Sequence, residues 1–185
     1  MEIYQERQTG LASGATEIMD AAAVKSWAAI DTDLDDTVIT SIIVAAREMV
    51  ENFISKDLVS KNRELFVDEL EYDGETYIIS LPYNAKTGTI VVTSGTTTLT
   101  LNTNYEIIGI GGRYIKFTGN HKNVKVVYES DPVASASEVE LAKSAVKVLI
   151  EQVYDNRANL EGDSDIVVMD GNTKKMLAPL KSIYM

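Results

Sequence analysis

Between Thr37 and Phe53 the apolar side chains fall at Ile39, Ile42, Ile43, Ala46, Met49, Val50 and Phe53. That spacing puts them on one face of an α-helix about four turns long. From about residue 76 the pattern changes. Short β-branched and aromatic runs alternate with turn residues until Glu129, and a helical stripe returns at Leu141, Ala145, Val148, Leu149 and Val153. A chain whose hydrophobic period switches from 3.6 to 2 and back must be α+β. The expected architecture is a small helical bundle with an inserted antiparallel β-sheet or barrel and a C-terminal tail.

The helices are expected near residues 20–30, 37–54 and 138–157. Asp20 can cap the first, in which Val24, Trp27 and Ala28 sit at core spacing. Asp35 and Asp36 can cap the second and favour its positive N-terminal end. Arg47, Glu48 and Glu51 fall off its apolar face. Ser137 to Glu140 reads as a capping box opening the third helix, and a short element is expected around Lys174–Leu177. Candidate strands are 64–70, 76–81, 89–93, 97–101, 105–110, 114–117 and 124–129, bounded by Asp73-Gly74, Thr87-Gly88, Ser94-Gly95, Gly111-Gly112 and Gly119-Asn120. The domain reading is an N-terminal arm (1–19), a helical frame (20–63 and 130–178) whose helices pack on one another, a β-rich insert (64–129) projecting from one end of that bundle, and a tail (179–185).

Charge follows the same partition. Residues 17–73 hold 14 acidic and 5 basic side chains, and residues 74–128 hold 2 and 5. The whole chain carries −11 at pH 7. Such a surface repels phosphate, which argues against wrapping nucleic acid or docking on anionic lipid. With no cysteine there is no disulfide, thiolate metal site or cysteine nucleophile. No apolar leader and no membrane-spanning run is legible.

The chemistry-bearing patterns fail on spacing. Asp31-x-Asp33-x-Asp35 would need Gly at the sixth position and Glu at the twelfth of an EF-hand loop, but those places hold Asp36 and Ile42. Gly109 to Gly112 lacks the third glycine and the following helix of a dinucleotide fingerprint, so a hairpin turn is expected. His121 is the only histidine and cannot make a multi-histidine metal site. No nucleophile elbow or triad spacing occurs. The expectation is therefore no catalytic residue, no metal and no cofactor.

Two distant stretches carry a family resemblance. The first runs Val24-Lys25-Ser26-Trp27-Ala28-Ala29-Ile30-Asp31, then Asp33, Asp35-Asp36, Ile39, Ile43, Ala45-Ala46-Arg47 and Val50-Glu51. The second is Ala145-Val146-Lys147-Val148-Leu149-Ile150-Glu151-Gln152-Val153-Tyr154-Asp155-Asn156-Arg157. Together they resemble the head–tail connector (adaptor) proteins of tailed phages. That family opens on "K-x-x-L-R-I-D" followed by "D-D-x-x-I-x-x-L-I-x-A-A-R", and its long helix ends in "Y-x-N-R". Met176-Leu177-Ala178-Pro179-Leu180-Lys181 is similar to the family's closing "L-L-x-P-Y-R". The chain departs from the pattern in Trp27-Ala28 for Leu-Arg, in Leu180-Lys181 for Tyr-Arg, and in its longer N-terminal stretch.

The resemblance implies a structural virion protein of the phage neck, made in the host cytoplasm. It would form a homo-oligomeric ring beneath the portal, twelve-fold symmetry being one option. DNA would pass through the ring without specific binding, and the portal and another neck or tail protein would be its partners. Leu180, Ile183 and Tyr184 are candidate docking residues, because an apolar end outside a helix stripe is unusual. Arg113 and Lys116 are candidate subunit contacts that face acidic helices of a neighbour. Asp35, Asp36, Ile39, Ile43, Ala46, Arg47, Tyr154 and Arg157 have structural roles. Arg47 with Tyr154 and Arg157 reads as a polar tie between helices. Alternatives are another neck or tail-completion ring protein, or a β-rich module binding carbohydrate or a host surface, for which Tyr105 and Tyr114 would have to converge on one groove.

Overall fold

The computed structural model describes residues 4–30, 36–70, 77–132, 136–156 and 169–181. The chain divides into two compact units, each built from two separate stretches: residues 1–15 with 59–132, and residues 16–58 with 133–185.

The second unit is helical. It contains α1 (Ala21–Ala28), α2 (Asp36–Ile54), α3 (Ala136–Asn156) and α4 (Gly171–Leu177), followed by a 3-10 turn over Ala178–Leu180. Asp20 caps α1 by accepting a hydrogen bond from the Ala23 N–H at 2.7 Å, and Asp170 caps α4 through the Thr173 N–H at 2.6 Å. Thr173 holds the Asp170 carboxyl below its ordinary pKa, through its side chain first and its backbone N–H second. α3 runs from Ala136 to Asn156, with Glu138 in its first turn. The periodicity of α2 and α3 becomes a shared core. Ile39, Ile43, Ala46, Val50 and Ile54 pack with Ala142, Ala145, Val146, Leu149 and Ile150, and Met169, Leu177 and Leu180 close one side.

Among its described residues the first unit is built of β-strands, with one 3-10 turn over Ile110–Gly112. It contains β1 (Tyr4–Leu11), β2 (Lys61–Leu70), β3 (Tyr77–Ser80), β4 (Val91–Ser94), β5 (Thr97–Thr98), β6 (Tyr105–Ile108), β7 (Tyr114–Phe117) and β8 (His121–Glu129). Five strands form a sheet in the order β1-β2-β8-β4-β5, and three form a second in the order β3-β7-β6. Every pairing between strands is antiparallel. Alternation sends Leu65, Val67, Val92, Val124, Val126 and Tyr128 of the first sheet, and Ile79, Ile115, Phe117 and Tyr105 of the second, into one apolar cluster.

Tyr4–Leu11 lies where the sequence suggested an arm. Its polar composition hides a strand that is held by register with β2, from Tyr4 opposite Val67 to Leu11 opposite Lys61. The Gly109–Gly112 stretch joins β6 to β7. Gly109 has φ +84°, and a Cβ there would lie 2.6 Å from the Tyr114 ring, so only glycine fits.

Candidate assembly surfaces

Arg47 in the helical unit is buried, at 2% exposure. Its Nε and Nη2 donate to the two carboxylate oxygens of Glu17 at 2.8 and 3.1 Å. Its Nη1 donates to Glu51 Oε2 at 2.5 Å. The other oxygen of Glu51 accepts the Leu58 N–H at 2.7 Å. Burial opposes the charge, but the hydrogen bond to Glu17 and the negative charges of Glu51 and Glu17 outweigh it and hold the guanidinium pKa above its ordinary value. Arg47 thus ties Glu17 to Glu51, whereas the sequence suggested a tie between helices with Tyr154 and Arg157. Glu17 and Glu51 hold it, with Glu48 3.8 Å away; Tyr154 lines a groove in the same unit, and Arg157 lies outside the described residues.

That groove has a volume of about 240 Å³ and is walled by Val24, Trp27, Ile30, Ile150, Glu151 and Tyr154. Trp27 is 43% exposed, although its spacing in the sequence suggested a core position. α1 is only two turns long, and Val24 supplies its buried contact. The indole therefore forms the groove's wall.

The outward face of the five-stranded sheet carries two rows of side chains. Arg7, Glu64, Val127 and Val91 stand opposite one another across β1, β2, β8 and β4. Gln5, Phe66, Lys125 and Thr93 form the neighbouring row. Glu64 is gripped from both sides, by Arg7 at 2.5 Å and Lys125 at 2.7 Å. Lys125 first and Arg7 second hold its carboxyl below the ordinary glutamate pKa, against the opposing effect of burial. The same cations lie 6.0 and 5.4 Å from the Phe66 ring. The carboxylate is 12% exposed, whereas Arg7 is 65% and Lys125 35% exposed. The face therefore presents positive charge beside Phe66, Val127 and Val91.

The remaining residues singled out in the sequence fall as follows. Ile39, Ile43 and Ala46 are core. Asp36 opens α2 and accepts from Lys25 Nζ at 2.9 Å, while Asp35 lies outside the described residues. Leu180 is 3% exposed and packs in the core of its own unit, so this residue is not open to a partner in this structure. Ile183 and Tyr184 lie outside the described residues. Arg113 donates to the Pro82 carbonyl at 3.1 Å, and Lys116 pairs with Glu106 at 3.4 Å. Tyr105 and Tyr114 do not converge. Tyr105 is buried 6.2 Å from Phe117, and burial pushes its phenol pKa up, whereas Tyr114 is exposed. Among the described residues no group of three or more His, Cys, Asp or Glu side chains is placed to hold a metal ion. Among them, too, no helix is long and apolar enough to cross a membrane.

Sequence reading missed Glu17 as a partner of Arg47 and missed the cationic face around Glu64. Glu17 carries no local signal, because it is thirty residues away. The face could have been suspected from alternation in residues 61–70, which places Glu64 and Phe66 on one side of a strand.

Residues 19–107, a little under half of the chain, match the family model of the phage gp6-like head–tail connector proteins. No curated protein matches the chain. Three solved structures share its fold over nearly its whole length. A chain from the neck of an empty GTA particle, computed with C6 symmetry, is 16% identical with a TM-score of 0.64, covering 98% of this chain and 97% of that one. One from the virion of a native gene transfer agent particle is 14% identical with a TM-score of 0.65 and the same coverage. A third, from the neck of a native GTA particle computed with C12 symmetry, is 18% identical with a TM-score of 0.57, covering 97% of each chain. Through residues 19–107, which hold α1, α2 and the strands from β2 to the start of β6, this chain is similar to the phage gp6-like head–tail connector proteins.

Proposed function

We propose that this chain is a structural subunit of a virion neck, and that copies of it close into a ring joining head to tail. The carrying observation is that a connector-family match over residues 19–107 coincides with the fold of neck proteins along nearly the whole chain. The C6 and C12 symmetries of those two neck structures favour a closed ring of copies. The role needs no catalysis, and the chain's described polar clusters have structural work: Arg47 ties Glu17 to Glu51, and Glu64 ties Arg7 to Lys125.

In this reading the portal lies on one side of the ring and a tail or second neck protein on the other, and DNA slides through. A net charge of −11 suits that passage, because acidic walls do not grip phosphate. Ile183 and Tyr184, beyond the buried Leu180, are the residues proposed to reach the neighbouring ring.

The test is to assemble particles without this chain. Filled heads lacking tails, restored by adding the purified protein, are expected, with rings visible on the portal by negative stain. Tailed particles formed in its absence would overturn the reading.

A further inference from the structure

We infer that the ring closes by seating the outward face of the five-stranded sheet of one copy over the Trp27 groove of the next. This rests on the ring reading above and names the contact within it. The two surfaces are complementary. The groove is lined mainly by apolar side chains, Trp27 and Ile150 among them, together with Tyr154 and Glu151. The sheet face carries an apolar strip, Phe66, Val127 and Val91, and Val91 is 48% exposed. Arg7 and Lys125 stand beside that strip.

Charge selects a second copy as the occupant. The helical unit, residues 16–58 and 133–185, holds 17 acidic and 9 basic side chains. Glu151 is the charged residue in the groove's lining, so two groove faces would set carboxylate against carboxylate. The sheet face repels its own kind through Arg7 and Lys125. Each surface fits the other and not itself, which makes the contact head-to-tail. Repeated head-to-tail contacts give rings or open chains and not closed two-fold dimers. Aromatic side chains in a partly formed pocket are the usual energetic centre of such contacts, with charge setting orientation at the rim.

The chain has no cysteine, so engineered cysteines report on this contact alone. The double variant Ala28→Cys/Val91→Cys, oxidised at concentrations and on portal complexes where assembly is seen, should yield a ladder of covalent multimers. Mixing the two single variants should link one chain of each kind, with the 28–91 disulfide identified by mass spectrometry. Glu151→Lys in the double-cysteine background should lower the cross-linked fraction about tenfold at low salt and less at high salt. Circular dichroism confirms that each variant folds. Rings that form without a 28–91 link, or with only 28–28 or 91–91 dimers, would overturn this contact and leave the ring reading standing. Absence of any assembly, alone or on portal complexes, would overturn the ring reading and the contact with it.

Discussion

Arg47 on α2 and Glu17, thirty residues earlier, are joined by two parallel hydrogen bonds of 2.8 and 3.1 Å. The pair fastens the segment before α1 to the middle of the central helix, and Glu51 extends the tie to the chain leaving that helix at Leu58. A buried ion pair of this kind adds little net stability over apolar packing, but removing one member leaves the other charges unpaired.

Arg47→Ala should therefore cost about 3–5 kcal/mol and lower Tm accordingly. Adding Glu17→Gln to that variant should recover part of the loss, because one stranded carboxylate is removed. Chemical denaturation of the single and double variants measures both. Additive losses would show that the two residues are not coupled.

Ile43 lies 2% exposed in the shared core of α2 and α3. Ile43→Asp buries a charge with no partner and should abolish cooperative unfolding of the helical unit at room temperature. Near-wild-type melting would contradict the packing. Leu180→Ala, at the edge of the same core, should cost about 2–5 kcal/mol.

Glu64 supplies a pH dependence. Its folded pKa lies below its ordinary value because of Lys125 and Arg7. A carboxylate depressed on folding contributes stability above its unfolded pKa and loses it as pH falls through the lower, folded one. The β unit should thus weaken on acidification below the ordinary glutamate range. Glu64→Gln should flatten that part of the curve while lowering stability near neutrality. Urea unfolding at a series of pH values reads both effects; an unchanged acid limb in the variant would dismiss the triad as a source of stability.

Removing residues 182–185 separates folding from docking. Leu180 stays in its core, so thermal stability should match the full chain, while portal binding and tail attachment should be lost. A fall in Tm would assign Ile183 and Tyr184 to the fold. Normal tailed particles would show that these residues are not needed for docking.

The extent of what was legible varies by element. Ile39, Ile43, Ala46 and Leu149 announced their face through spacing alone, because a 3.6-residue repeat of apolar side chains has no other low-energy arrangement. The β runs announced themselves through alternation and turn residues. The strand Tyr4–Leu11 did not, since its residues are mostly polar and its pairing partner, β2, starts fifty residues downstream. Trp27 misled because periodicity fixes which side of a helix a residue is on, not how far the neighbouring element extends to cover it.

By itself, then, the sequence determined the α+β class, the order of the elements after β1, the apolar faces of α2 and α3 and, through the spacing of its motifs, the resemblance to connector proteins. Those features depend on residues near one another in the chain. Only the tertiary structure decided that Arg47 is buried against Glu17, that Arg7 and Lys125 close on Glu64, and that Trp27 walls a groove. Each of these joins stretches remote in sequence, and short-range preferences carry no information about which distant charge will arrive to make a buried one tolerable.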